Sequence, residues 1–348
     1  MQNSELSGTV GALIDQAKAA ENMGETELSL KYYQLAIEAK PLNEEEKVKQ
    51  NEIKQFMANR SFQKWIDQEE WSKVTMAIHK EVKENKRKLD DENFKLLLFA
   101  ENQKIGRAKY NGILDAYALL EKYDKQKTLT LESQIDQGYA AEKLGGYKRA
   151  KIYYRRALKK ANDENVDLIL QLVGELKRLY ERSKDHKSLV HIYKRAYGAL
   201  KKSLRPKKEL RTYAYLIGYH QFFHLKQNKK ARVWLLRSDG GGSSAQELQS
   251  AYWVAKLGQL AKKPEIALKR LKELSGRKIS KKSSLYVQIH FELGTLFHLK
   301  ENWDSALKHY RFAAKASAPE EFKNIQTVAE ENAKQIADYL KSIKASQG

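Results

Sequence analysis

NWDSALKHYRFAAKASAP, residues 302–319, sets Trp303, Ala306, Tyr310 and Ala313 on one helical stripe, an aromatic and a small residue alternating. Upstream, Gly294 precedes Trp303 by nine residues, Ala306 by twelve, Tyr310 by sixteen and Ala313 by nineteen. The same offsets recur in DQGYAAEKLGGYKRAKIYYRRALKKAN, where Gly138 leads to Tyr147, Ala150, Tyr154 and Ala157. A third copy lies in QAKAAENMGETELSLKYYQLAIEAKP, from Ala17 through Ser29, Tyr33 and Ala36 to Pro41, with Gly24 and Gly145 at equivalent turns. Small residues at these offsets let two helices approach closely, and the large side chains fill the space beside each crossing. The stripe therefore reads as core. A bulky residue at Ala306 or Ala313 is expected to overpack that crossing at a cost of roughly 1–3 kcal/mol.

The composition agrees with helices. The chain has 348 residues with 4 prolines and 18 glycines, and Leu, Ala, Lys and Glu far outweigh Val and Ile. The repeated pattern resembles the tetratricopeptide repeat, a helix–turn–helix unit of ~34 residues. It is well kept over residues 10–43, 131–164 and 287–320, and weaker around Trp71, Ala116, Tyr193 with Ala196, Ala231 and Ala267. The resemblance implies an all-α, right-handed superhelical solenoid of about eight irregular repeats. A single repeat cannot bury its apolar face, so neighbours must stack and the last needs a cap. Residues 319–345 read as that capping helix, with Phe322, Ile325, Val328, Ala329, Ala333, Ile336, Leu340 and Ile343 on one stripe. RSDGGGSSAQ (237–246) reads as a flexible loop between repeats at 1–236 and 247–348, within one continuous array. Residues 83–93 and 201–210 read as charged turns.

Charge is uneven. The net charge of +21 lies in the middle and carboxyl-terminal parts: residues 101–240 have 32 basic against 15 acidic side chains and residues 241–348 have 18 against 11, while residues 1–100 have 15 against 18. Such a field either solvates a lysine-rich surface or speeds encounter with acidic partners. There is no cysteine, which excludes disulfides, thiolate metal sites and cysteine nucleophiles. The chain shows no phosphate loop ending in Lys-Ser or Lys-Thr, no zinc-protease helix and no nucleophile elbow; DGGGSS lacks the lysine and the preceding strand. No enzyme activity, cofactor or metal is expected. His220 and His224 share a helix face, but their own segment offers no acidic third ligand, so they read as structural histidines.

That segment, TYAYLIGYHQFFHLK, carries too many aromatics for one face of one helix. In the family it resembles, the first helix of each repeat lines a concave groove where peptides lie. By that resemblance Tyr215, Tyr219, His220 and Phe223 form a floor for a partner segment; the other reading is a helix buried on several sides. Arg155, Arg156, Lys207 and Lys208 are the expected charge contacts. The lysine and asparagine set of the chaperone-tail receptors in that family is missing from ALIDQAKAAEN and SQIDQGYAAEK. The reading is thus a scaffold or adaptor for a protein or peptide partner, favouring acidic ones. Its rival is nucleic acid or another anionic polymer on the basic surface. The first residues lack a basic segment followed by an apolar run, and no stretch approaches ~18 apolar residues. A cytoplasmic location is the expectation, with a trimmed leader or anchor as the route to an extracytoplasmic one.

Overall fold

The computed structural model describes residues 9–84, 89–203, 205–317 and 319–347. Among them lie seventeen α-helices and no strand. In chain order these are α1 (Val10–Asn22), α2 (Thr26–Glu38), α3 (Glu44–Asp67), α4 (Trp71–Lys83), α5 (Asp91–Gln103), α6 (Gly106–Tyr123), α7 (Leu131–Lys143), α8 (Tyr147–Lys160) and α9 (Val166–Arg182). There follow α10 (His186–Lys202), α11 (Lys207–Phe223), α12 (Asn228–Ser238), α13 (Ala245–Leu260), α14 (Pro264–Ser275), α15 (Ser284–His298), α16 (Trp303–Ala314) and α17 (Lys323–Gln347). They make eight consecutive helix–turn–helix pairs and a last helix, the tetratricopeptide-like, all-α architecture expected. The described residues divide into two compact units, one ending at Ala150 and one beginning at Lys151, a boundary that falls inside α8.

The turn inside seven of the eight pairs, all but α5–α6, has a common physical cause. A residue in the left-handed region ends the first helix: Gly24 and Gly145, but also Glu69, Lys184, Lys226, Lys262 and Glu301. In six pairs the next backbone N–H donates back to a carbonyl five residues earlier, as in Glu25 to Ala20, Asp185 to Tyr180 and Asn302 to Phe297, at 2.8–3.0 Å. This is the Schellman arrangement; it satisfies orphan carbonyls and reverses the chain in a few residues. In two pairs a polar cap starts the second helix: Asp185 accepts from Ser188 N at 3.0 Å and Asn302 from Ser305 N at 3.2 Å.

In the first unit, Leu13, Ala17, Tyr33 and Ala36 form one core, and Val74, Ile78, Leu97, Tyr117 and Leu120 belong to a second. In the second unit, Leu172, Leu176, Leu189 and Tyr193 are buried on α9 and α10, and α13–α17 share a core that includes Leu271, Leu293, Tyr310 and Ile336. The repeat positions behave as core: Ala306 and Ala313 are fully buried and Tyr310 nearly so. Gly294 makes room for the Tyr310 ring, since a Cβ there would stand 2.6 Å from it. Trp303 is half-buried and meets Tyr339 of α17 edge-on at 5.1 Å.

Three sequence expectations are refined. The cap opens with a 3₁₀ turn, Glu320–Phe322, before α17 begins. Ala329, Ala333 and Ile336 carry its buried stripe, while Val328 is exposed, because α17 covers one neighbouring pair and needs only a narrow face. Between α12 and α13, the Arg277 guanidinium holds Asp239 with two hydrogen bonds, at 2.7 and 3.1 Å. The charged turn at 83–93 includes residues 85–88, which lie outside the described residues, as does Leu204 in the turn at 201–210.

Candidate functional site

α11 and α13 are the first helices of adjacent pairs in the second unit, and their rings meet. Tyr219 lies 4.7 Å from Phe223 and 6.0 Å from Tyr215. Phe223 meets Trp253 of α13 edge-on at 4.7 Å, and Phe222 packs on Trp253 at 5.4 Å. All five are half-buried, so each ring keeps one side against protein and another toward solvent. Gly218 permits the close seating of α11 on α12, because a Cβ there would reach within 2.7 Å of Leu235. Burial raises the Tyr215 phenol above its usual range, with Tyr219 adding to the effect. At the edge of α13, Lys256 pairs with Glu292 of α15 at 2.5 Å, and Gln259 donates to the same carboxylate at 2.8 Å.

His220 takes a different place from its aromatic neighbours. It is buried and faces α10, where His186 is the first helical residue. The Nδ1 atoms of His186 and His220 stand 3.1 Å apart. His224, which ends α11, stacks flat on His186 with ring centroids 3.6 Å apart and an angle of 7°. Burial first, then the neighbouring His186 and His224, then Lys177, push the His220 pKa down to about 4. Burial, His186 and Lys226 push His224 down as well.

The charged residues singled out in the sequence do not converge on the aromatic cluster. Lys207 and Lys208 are exposed at the opening of α11, which puts Lys207 about 24 Å along the helix from Phe223. Arg155 and Arg156 are exposed on α8. Arg155 opens instead onto a separate groove of about 630 Å³ between α8 and α10, shared with Lys159, Lys187 and Arg195. Arg195 there is already paired with Asp163 and donates to the Ala161 carbonyl at 2.7 Å. Tyr154 and Tyr180 beside these bases are buried and present no ring face for stacking.

Trp253 and His186 escaped the sequence reading. Each lies one repeat length, ~34 residues, from a residue that was noticed: Trp253 after Tyr219 and His186 before His220. A search at repeat spacing, in place of one along a single helix, brings both out.

No family model and no curated protein matches the chain. Matching solved structures include the crystal structure of MamA protein, at 17% identity over 56% of this chain and 93% of that one, with a TM-score of 0.36. YrrB, described as a TPR protein with an unusual peptide-binding site, matches at 14% identity over 62% of this chain and 98% of that one, TM-score 0.39. Yeast Tom70 matches at 13% identity over all of this chain and 69% of its own, TM-score 0.38. At these values no partner and no residue role passes from those proteins to this one.

Proposed function

We propose that this chain is a non-catalytic scaffold whose second unit binds a segment of a partner protein on the faces of α11 and α13. The observation that carries this reading is the half-buried aromatic cluster of Tyr215, Tyr219, Phe222, Phe223 and Trp253 on two consecutive first helices. Large rings held rigidly by their neighbours, with one side still open, are the residues that anchor protein interfaces at low entropic cost. Tyr219, Phe223 and Trp253 are the anchors. Tyr215 lies further along α11 and extends the floor toward Lys207 and Lys208. His220 supports the floor from beneath, since it is buried.

The partner segment is apolar or aromatic where it meets the rings and acidic toward the opening of α11. The basic side chains of residues 101–240, Arg155 and Arg156 among them, act at longer range by steering the encounter. The basic groove between α8 and α10 supports the anionic-polymer reading less well. Its neighbouring Tyr154 and Tyr180 are buried, so it offers phosphates a positive charge but gives bases no tyrosine ring to stack on. No described helix is long and apolar enough to cross a membrane.

A displayed library of short peptides, selected on the intact chain, tests the reading. Selected peptides carry an aromatic or apolar anchor flanked by acidic residues. They bind the Tyr219→Ala/Phe223→Ala variant at least about tenfold more weakly, as expected when interface anchors worth 2 kcal/mol or more are removed. Helical content stays unchanged. Peptides that bind this folded variant as tightly as the parent refute the site.

A further inference from the structure

We propose that His186, His220 and His224 form a binding site for a divalent late first-row transition-metal ion, of which Zn²⁺ is the physiological representative. Three imidazoles come together from two helices, and their ligand atoms all lie within 4.8 Å of one another. Two nitrogens bound to one tetrahedral zinc at about 2.0–2.1 Å stand about 3.3 Å apart. The 3.1 Å between the Nδ1 atoms of His186 and His220 is already close to that separation. His224 needs only a side-chain rotation, which its exposed position at the end of α11 allows.

The local sequence explains why the group exists. His220 and His224 are four residues apart on α11 and so project from one face. Lys184 in the left-handed region and Asp185 as the cap turn the chain so that α10 begins with His186 opposite that face. As they stand, the Nδ1 atoms of His186 and His220 share one proton, so one ring carries its hydrogen on Nδ1 and the other on Nε2. An ion taking both Nδ1 lone pairs requires the donor ring to move its proton to Nε2 through solvent. His186 is half-exposed, which leaves that path open.

The donor set selects the ion. Three neutral nitrogens without carboxylate or thiolate suit Zn²⁺, Co²⁺, Ni²⁺ or Cu²⁺ and not Mg²⁺ or Ca²⁺, which take oxygen. Lys177 and Lys226 are the cationic groups near these rings that oppose the ion. Because His224 is exposed, the fourth position faces solvent, where a water or a partner's side chain completes it. The pair His290 and His309 makes a contrast. Their Nδ1 atoms are 2.9 Å apart, but Phe297 and Phe312 wall them in, and among the described residues no third ligand joins them. The inference is independent of the peptide-binding reading.

Tag-free, full-length protein is titrated with Zn²⁺ by calorimetry and with Co²⁺ by visible absorption. One equivalent binds, Co²⁺ develops the intense bands of a tetrahedral site, and the second unit melts at higher temperature with metal than without. His186→Ala and His224→Ala each weaken binding at least about 100-fold and abolish the metal-dependent shift in melting, as loss of a ligand should exceed the loss of a supporting group. Both residues lie at helix ends, so the variants keep their helical content. His191→Ala, an exposed histidine elsewhere on α10, leaves binding unchanged. Absence of saturation at one equivalent overturns the proposal, as does equal binding by the parent and the His186→Ala/His224→Ala double variant.

Discussion

Replacing Gly294 by alanine places one methyl group where the packing of α15 on α16 leaves no room. The added Cβ would lie 2.6 Å from Tyr310 Cδ1, 2.7 Å from Cε1 and 2.9 Å from Cγ. Carbon atoms in contact prefer about 3.5–4.0 Å, so the ring has to retreat by about 1 Å. Tyr310 cannot retreat freely: only 2% of it is exposed, its hydroxyl donates to Thr295 Oγ1 at 3.3 Å, and Phe291 lies edge-on at 5.8 Å. Overpacking of this kind costs about 1–3 kcal/mol. Alanine returns at most about 1 kcal/mol through its better helix propensity. The net expected loss is about 1–2 kcal/mol, local to α15 and α16. Gly174 and Gly198, within α9 and α10, are the matched controls, since a Cβ at either meets nothing within 4 Å. There the propensity term stands alone, and alanine should stabilise by about 0.5–1 kcal/mol. Stacked repeats open piecewise, so hydrogen exchange of individual helices is the informative assay. Amides of α15 and α16 should exchange roughly tenfold faster in Gly294→Ala, while those of α9 slow in Gly174→Ala. A Gly294→Ala protein as stable as its parent, or a destabilised Gly174→Ala, refutes the account of why glycine stands at the first crossing.

Other consequences can be checked on the intact chain. His290 and His309 are both held near a pKa of about 4, burial being the first cause; His309 lowers His290 further, and Lys308 and Lys272 lower His309. Tyr286, Phe297 and Phe312 supply the surrounding rings. The unfolded chain takes up protons near pH 6.5 and the folded chain does not, so stability present above that pH is lost as pH falls from 6.5 toward 4. Allowing for the partial exposure of His309 and for the coupling between the two rings, the loss is about 2 kcal/mol. Denaturant melts between pH 7 and 4 should show a shallower decline in His309→Gln than in the parent, and parallel declines would contradict it. At Glu301, an exposed side chain sits at φ 58°, a conformation that glycine adopts without strain. Glu301→Gly should therefore raise stability by about 0.5–1 kcal/mol, read as a shift in the denaturation midpoint; a drop would show that the side chain contributes more than its backbone costs.

The sequence by itself determined the helical pairs, their number and their core. Ala306, Tyr310 and Ala313 answer to contacts within one pair of helices joined by a short turn, and such local packing leaves a fixed spacing that a single chain displays. The turns were legible only where glycine occupied them. Lys184, Lys262 and Glu301 take the same left-handed conformation without glycine's signature, because the Schellman hydrogen bonds hold them there. Only the tertiary structure decided which rings of α11 stay open, that Trp253 completes their cluster, and that His220 turns inward to meet His186. Those outcomes depend on the angle and depth at which one pair of helices seats on the next. That seating is set by bulk and burial summed over many side chains, and no single spacing along the chain records it.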